Sequence, residues 1–503
     1  MLVAAFTETA IHVGRTQRQG SIAATLLLLC CAVSTRAHAT VADGCPLEAA
    51  SAMTMLQYKT HIKTDATAAS HVKEPTWQEL DNNGELSYTA DIVVGSQTLK
   101  GILDTGSYEL LVFSQKCDAC GTAASYDTKS SENHSRLLVS YMHSFGSGDT
   151  ESVGAVDSVA IAEHLIPEQF LWEVVDADMP LLRMAEFHAI VGMGPPEVPV
   201  EDAVSLAKDL DDFLKRYEAT PETQKEYAEA IKNAYRLRSV LLQSPSLLEN
   251  MGVQRFSHCL LRQPTAPGYW IWDDLDPAAQ AGTFKQLELV GEVSWGVQLD
   301  GVSWNGGALS SQETFACEDG CAALLDSGTS LIAAPSSVVA EAVARLNRIG
   351  GSCDRLEELP DLVIVVDGIE LRLPPWSYAA QVSGEVPPEL RKHFPRLPEV
   401  YRACEVLMMT LDAETQLGPL WILGLPFFRE YYTSFSLGEY PSSKSVRSIH
   451  VARSGEDCRP VNWEFAATMN RSMGTRIRKV DLSKLRVSPR VFKMLEARER
   501  FTI

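Results

Sequence analysis

Positive charge is what this sequence is short of. Against 65 Asp and Glu it carries only 44 Lys and Arg, a formal net charge of −21 over 503 residues. A chain of that sign repels a phosphate backbone, so nucleic acid is excluded as the expected partner. The plain reading of the acidity is a well-solvated surface; a second is tolerance of low pH, where carboxylates discharge. A bilayer-spanning run is missing too. The apolar stretch SIAATLLLLCCAVS, Ser21 to Ser34, is shorter than the roughly 20 residues a spanning helix needs. Arg15 and Arg18 precede it and Ala37-His38-Ala39 follows, which together read as a secretory signal peptide over residues 1–39. Metal-ligand spacing is also lacking: Cys117-x-x-Cys120 has no further local Cys or His at finger-like spacing, since His134 and His143 are misplaced for it. No metal and no cofactor are expected.

Cysteine itself is plentiful. Of 11 residues, Cys30 and Cys31 fall in the signal segment, leaving nine. In an oxidising compartment the close pairs Cys117/Cys120 and Cys317/Cys321 are expected as short-loop disulfides. Cys353 and Cys404 could close a third. Cys45, Cys259 and Cys458 remain, so at least one thiol is free or pairs in a way the sequence does not reveal. Asn133-His134-Ser135 and Asn470-Arg471-Ser472 are glycosylation acceptors if the chain enters the secretory route.

One short pattern occurs twice. In GILDTGSYELLVF, Gly101 to Phe113, an ionisable Asp104 interrupts an apolar run, and in CAALLDSGTSLIAAP, Cys321 to Pro335, Asp326 does the same. Burying a lone carboxylate is expensive. Two copies of apolar-apolar-Asp-(Thr/Ser)-Gly-(Ser/Thr), at 104 and 326 and so 222 positions apart, instead suggest a duplicated unit whose two acids meet. Around them the pattern is that of strands. ELSYTADIVVG, LKGILDTG, LLVFS, SVGAVDSVAIA, FLWEVV and AIVGMG read so in the first half, and FKQLELV, SWGVQLDGVSW, AALLDSG, LVIVVDGIELRL and WILGLPFF in the second. Between them, about 197–242, Val204, Ala207, Leu210 and Leu214, then Tyr227, Ile231, Ala234 and Tyr235, fall at helical spacing on either side of Pro221. This predicts a surface helical hairpin.

From about Glu85 to Val451 the chain resembles the pepsin-like aspartic proteases. The residues that carry the likeness are YTADIVVGSQTLKGILDTGS, SFGSG at Ser144–Gly148, FHAIVGMG, CEDGC ahead of the second Asp motif, and WILGLPFFREYYTSF. The resemblance implies a mostly β, bilobal fold with an active-site cleft between the lobes. It implies Asp104 and Asp326 as catalytic acids, with Thr105 and Ser327 bonding across the lobes, and Ser107 and Thr329 on the outer carboxylate oxygens. Gly106 and Gly328 would let backbone amides approach the carboxylates, and Phe145, Gly146 and Ser147 would form the flap over substrate. Cys117/Cys120, Cys317/Cys321 and Cys353/Cys404 fit the family's disulfide positions. The expected organisation is a signal peptide at 1–39 and a propeptide or N-terminal extension at 40–83. A first lobe at 84–284 with the helical insertion, a second lobe at 285–453 and a basic tail at 454–503 follow. In the 40–83 segment Lys59, His61 and Lys63 would serve to suppress an acidic cleft.

The residues explain why chemistry wants the arrangement. Two carboxyls within hydrogen-bond reach do not both ionise readily, so the pair shares a proton. The ionised member then takes a proton from water while the protonated one donates to the scissile carbonyl. The expected activity is an aspartic endopeptidase with an acidic optimum, monomeric, acting on extended polypeptides. Its expected location is the secretory pathway, either outside the cell or in an acidic vacuolar or lysosome-like compartment. The alternative is a weak or inactive relative that binds polypeptide without cutting it. Three positions depart from the family: Phe145 where the flap usually has Tyr, Leu111 where a Trp is common, and Phe187-His188-Ala189 where Phe-Asp-Gly is familiar. These point to altered specificity or a lowered rate.

Overall fold

The computed structural model describes residues 74–481 except 146, 217–220, 281, 291–293, 308–310, 386–398, 439–446 and 464–477. The expected signal peptide, Lys59, His61, Lys63 and Cys45 lie outside the described residues, as does Gly146. The first half is built from ten strands: β1 (Thr76–Asn83), β2 (Ser87–Val94), β3 (Gln97–Asp104), β4 (Leu110–Phe113), β5 (Ser135–Phe145), β6 (Gly148–Ile161), β7 (His164–Asp178), β8 (Ala189–Gly192), β9 (Arg255–Leu260) and β10 (Gly268–Trp272). Strands β1, β2, β3, β8, β4, β7, β6 and β5 neighbour one another in that order, and a further pairing of β2 with β6 closes the set on itself. Residues of β6 alternate between buried and partly exposed over most of its length, the period-2 signature of a half-buried strand. In β4 all four residues are buried, because Leu110 and Val112 on one face and Leu111 and Phe113 on the other each join an apolar cluster.

The second half repeats the core. Cys321–Leu325 runs parallel to Gly418–Leu423, which Ile332–Ala334 pairs antiparallel. Gly296–Leu299 and Met408–Thr410 flank them. Joining the halves is a floor that both contribute to, ordered 448–454, 431–436, β9, β10, β1. Its core is aromatic: Phe256 stacks on Trp270 at 5.0 Å and on Phe435 at 5.2 Å, and Trp295 meets Phe435 edge-on at 5.1 Å. The mostly β, two-lobed architecture expected from the sequence is the one observed.

Three particulars differ from the sequence reading. Strand β1 lies N-terminal to the boundary drawn at residue 84, yet it pairs in register with β10 (Trp77 opposite Ile271) and buries Leu80; acidic Glu79 and Asp81 on its outer face and Gln78 on its inner one hid it. The tail is in part structural. Cys458 forms a disulfide with Cys259, Pro460–Val461 pairs with Ser448–Ser454, and Lys479–Asp481 adds a parallel strand beside Ala379–Glu385. The insertion is a pair of helices, α1 (Val198–Arg216) and α2 (Pro221–Leu241), but Val204 and Tyr235 are exposed while Ala203, Ala234, Leu237 and Leu241 are buried. Ala234 is buried as its spacing suggested, so the departure is confined to Val204 and Tyr235. Ala203, Leu237 and Leu241 belong to one apolar cluster with Val139, Phe145 and Trp172, which seats the insertion behind the β5–β6 hairpin.

Candidate active site

Asp104 ends β3, a strand held parallel to β8 with Asp104 opposite Gly192. The chain turns at Thr105–Ser107 and returns as β4, antiparallel to β8. Asp326 is delivered in the same way: Leu325 lies opposite Leu423, and the Asp326 amide donates to the Leu423 carbonyl at 3.1 Å. Apolar strands therefore bring two carboxyls, 6% and 3% exposed, to one point.

Each loop supports its own acid. The Gly106 amide and Ser107 hydroxyl donate to the two oxygens of Asp104 at 2.9 and 2.6 Å. The Gly328 amide and Thr329 hydroxyl donate to those of Asp326 at 2.8 and 2.5 Å. The loops also hold each other. The Thr105 amide donates to Ser327 Oγ (3.0 Å), and the Thr105 hydroxyl to the Leu325 carbonyl (2.8 Å). In return the Ser327 amide donates to Thr105 Oγ1 (2.9 Å), and the Ser327 hydroxyl to the Leu103 carbonyl (2.6 Å). A Cβ at Gly328 would fall 2.4 Å from Asp104 Oδ1, and one at Gly106 would fall 2.7 Å from Asp326 Cγ. Each glycine thus makes room for the opposite acid, a use beyond the amide approach expected from the sequence. Burial first, then the neighbouring Asp104 charge, raises Asp326 well above the ordinary carboxyl range against the pull of its Thr329 and Gly328 hydrogen bonds.

The β5–β6 hairpin carries Phe145 and Ser147, the residues expected in a flap. Phe145 pairs with Gly148 across its tip and is 4% exposed. The neighbouring Ser147 hydroxyl is buried with no hydrogen-bond partner among the described residues, which leaves an acceptor and a donor for something else to satisfy. His188 is structural: its Nδ1 accepts from the Lys100 amide at 3.1 Å, and burial, with Lys100 nearby, lowers its pKa below the usual imidazole value. Leu111 lies opposite Trp172 in the β4–β7 ladder, so an indole stands beside the position where the sequence has none.

Sequence reasoning passed over Glu109. Its Oε1 accepts from Trp172 Nε1 at 2.6 Å, its Oε2 lies 3.2 Å from Nε2 of His143 on β5, and its carbonyl accepts from the Gly192 amide at 3.0 Å. A charge set directly before four buried apolar residues was the available signal. Disulfides Cys117–Cys120 and Cys317–Cys321 flank the two Asp loops, and Cys353–Cys404 closes a third link. Among the described residues, Glu163, His164 and Asp273 are grouped closely enough to hold a cation; they sit on the β6–β7 turn and just past β10, on elements other than those that carry the two acids.

No helix of the described residues is long and apolar enough to cross a membrane. The family model for eukaryotic aspartyl proteases matches residues 87–443. Among curated relatives, cathepsin E-A of Xenopus laevis is 27% identical over 399 residues, 76% of this chain and 83% of that protein. Renin-2 of Mus musculus is 26% identical over 396 residues, 76% of this chain and 84% of its own length. Pepsin A of Bos taurus is 24% identical over 393 residues, 76% of this chain and 89% of its own length. With the duplicated Asp loops, the cross-lobe hydrogen bonds and a family match over most of its length, the chain belongs to the eukaryotic aspartyl protease family.

Proposed function

We propose that this protein is an aspartic endopeptidase in which Asp104 and Asp326 act as the acid–base pair. The observation that carries the reading is the completeness of the dyad: both carboxyls, both hydroxyl supports, both glycines and all four cross-lobe hydrogen bonds are present together. Asp326, with its raised pKa, holds the proton that polarises the scissile carbonyl, and Asp104 takes one from the attacking water. The two exchange roles when the tetrahedral intermediate collapses and the amine leaves. An extended polypeptide lies between the lobes, and the Ser147 hydroxyl bonds its backbone. Apolar residues flank the scissile bond, because Phe145 roofs that part of the cleft. Activity peaks below neutrality, where the pair keeps one proton, in keeping with a secretory-route location. The test is hydrolysis of an acid-denatured protein by the purified chain, with Asp104→Asn as control; equal cleavage by both proteins overturns the assignment.

A further inference from the structure

The Glu109 carboxylate joins three elements. Its backbone belongs to the loop that carries Asp104. One of its oxygens takes the Trp172 indole proton from β7, and the other faces His143 Nε2 on β5. His143 precedes Phe145 by two positions on the same strand, so both side chains point to one face, and the two rings stack at 6.5 Å and 24°. The Trp172 ring meets His143 edge-on at 5.2 Å. The His143 and Glu109 side chains are 10% and 18% exposed, enough shelter for a charged hydrogen bond between them to matter.

We infer that His143 and Glu109, oriented by Trp172, are positioning residues that latch the flap to the loop of Asp104 and so set Phe145 and Ser147 over the bound polypeptide. The inference rests on the endopeptidase reading and assigns the flap of that same site a fastening that needs neither a Tyr at 145 nor a Trp at 111.

Protonation decides the strength of the latch. When His143 is protonated the pair is an ion pair with a charge-assisted hydrogen bond; when neutral it is a weaker one. The groups that face His143 come from each element packed against it. Glu109 faces it from the Asp104 loop, and the Tyr141 ring packs on it at 4.9 Å. Asp202 of α1 acts on Tyr141 together with Glu109. From β6 comes the neutral Ser152 hydroxyl at 3.5 Å, and from β7 the neutral Trp172. The charge-assisted form is the tighter latch.

The experiment measures kcat and KM on one extended peptide from about pH 4 to 7.5 for wild type, H143Q, H143K, E109Q and W172F. Each protein is also titrated with an uncleavable reduced-amide analogue of that peptide. H143Q and E109Q are expected to raise KM and the analogue Kd about fivefold to twentyfold at the acidic end, with kcat changed less than about threefold. That difference should shrink as pH rises. H143K, which keeps a cation, is expected to retain acidic affinity and bind the analogue more evenly across pH. W172F should raise KM without changing the pH dependence. Profiles and affinities of H143Q and E109Q that superimpose on wild type overturn the latch while leaving the endopeptidase reading intact. Absent hydrolysis in wild type, with the His143-dependent affinity still present, overturns the endopeptidase reading and supports the latch.

Discussion

Five residues after Asp104 stands Glu109, and five after Asp326 stands Leu331. Through the third residue after each acid the two loops make the same hydrogen bonds to their acids and to each other. Beyond it they diverge. Glu109 ties the first loop to the flap strand, whereas Leu331 is buried among apolar neighbours. Four residues on, Tyr108 is matched by Ser330, whose hydroxyl donates to the Leu86 carbonyl of the first lobe. The residue before Leu86 is Glu85, centre of a buried charge cluster. Its carboxylate pairs with Arg429 at 3.1 Å and with Arg478 of the tail at 2.6 Å, and it accepts from the Thr265 amide at 2.6 Å. Burial alone would push Glu85 up, but Arg429 and Arg478 outweigh it and lower its pKa. Symmetric loops are thus held by asymmetric contacts: one is fastened to the proposed flap, the other to a buried charge cluster that spans both halves of the chain.

The symmetric part should break completely from either side. Asp104→Asn and Asp326→Asn should each lower kcat by at least roughly a thousandfold, since an amide cannot pass the proton. The two differ in stability. Asp326 has a raised folded pKa, so between its ordinary and its raised value the folded state binds the extra proton, and stability falls as pH rises through that window. Asp326→Asn, neutral at every pH, should therefore lose this decline, and melting curves at pH 4 and 7 should show wild type losing more than the variant. A wild type that gains stability over that range relative to Asp326→Asn would contradict the assignment of the proton.

The asymmetric part should separate stability from substrate affinity. Glu85→Ala leaves Arg429 and Arg478 buried and facing one another, at an expected cost of about 3 to 5 kcal/mol. Arg478→Met should cost less, because Glu85 keeps Arg429 and the Thr265 amide. Chemical denaturation reads both, and KM of the folded fraction should stay near wild type. Replacing Glu109 should give the opposite pattern, a changed KM with a small stability effect. If Glu85→Ala raised KM as much as Glu109→Gln, the two loops would not differ in what they hold.

Beneath both loops lies the shared floor, which contains a pH-dependent weakness. His258 is packed between Trp270 at 5.1 Å and Phe428 at 4.6 Å, and complete burial lowers its pKa from 6.5 to about 3. The unfolded chain binds this proton first as pH falls, so the neutral ring's contribution is present above the ordinary imidazole value and is lost progressively below it. At about pH 5 the loss is roughly 2 kcal/mol, at about 1.36 kcal/mol for each pH unit. His258→Phe removes the titration, and any packing cost it carries does not vary with pH. The stability difference between wild type and variant should therefore move by about 2 kcal/mol in the variant's favour between pH 7.5 and 5. A constant difference would mean that His258 is not buried neutral.

Much of this was legible in the sequence for a definite reason. A carboxylate inside an apolar strand is costly, and two in matching contexts imply one shared site in which a proton is kept between them. What stayed hidden was whatever depended on pairing across long separations. Thr76–Asn83 looks like a polar linker because its strand partner is at 268–272, and Arg478 looks like part of a solvated tail because Glu85 lies in the other lobe. Cys259 and Cys458 could not be matched because their separation of 199 residues carries no local signature. The helical face was misread at Val204 and Tyr235, because periodicity marks apolar residues whether or not they are buried, whereas burial fell on Ala203, Leu237 and Leu241 beside the expected Ala234.

The smallest expected effect is at the flap tip. Phe145→Tyr adds a hydroxyl to a ring in the same apolar cluster as Trp172, whose indole proton Glu109 already takes. If the new group finds an acceptor in the closed complex, it adds on the order of 0.5 to 1.5 kcal/mol; left unpaired, it costs ~1 to 3 kcal/mol. These opposing contributions should leave kcat/KM within about tenfold of wild type in either direction. Phe145→Ala should do more harm, because it removes the apolar cover proposed over the dyad and the ring on which His143 stacks. The measurement is kcat/KM for the three proteins on one peptide at one acidic pH. Equal values for wild type and Phe145→Ala would mean that the β5–β6 tip does not cover substrate, and the latch formed by Glu109 and His143 would then be fastening something other than a flap.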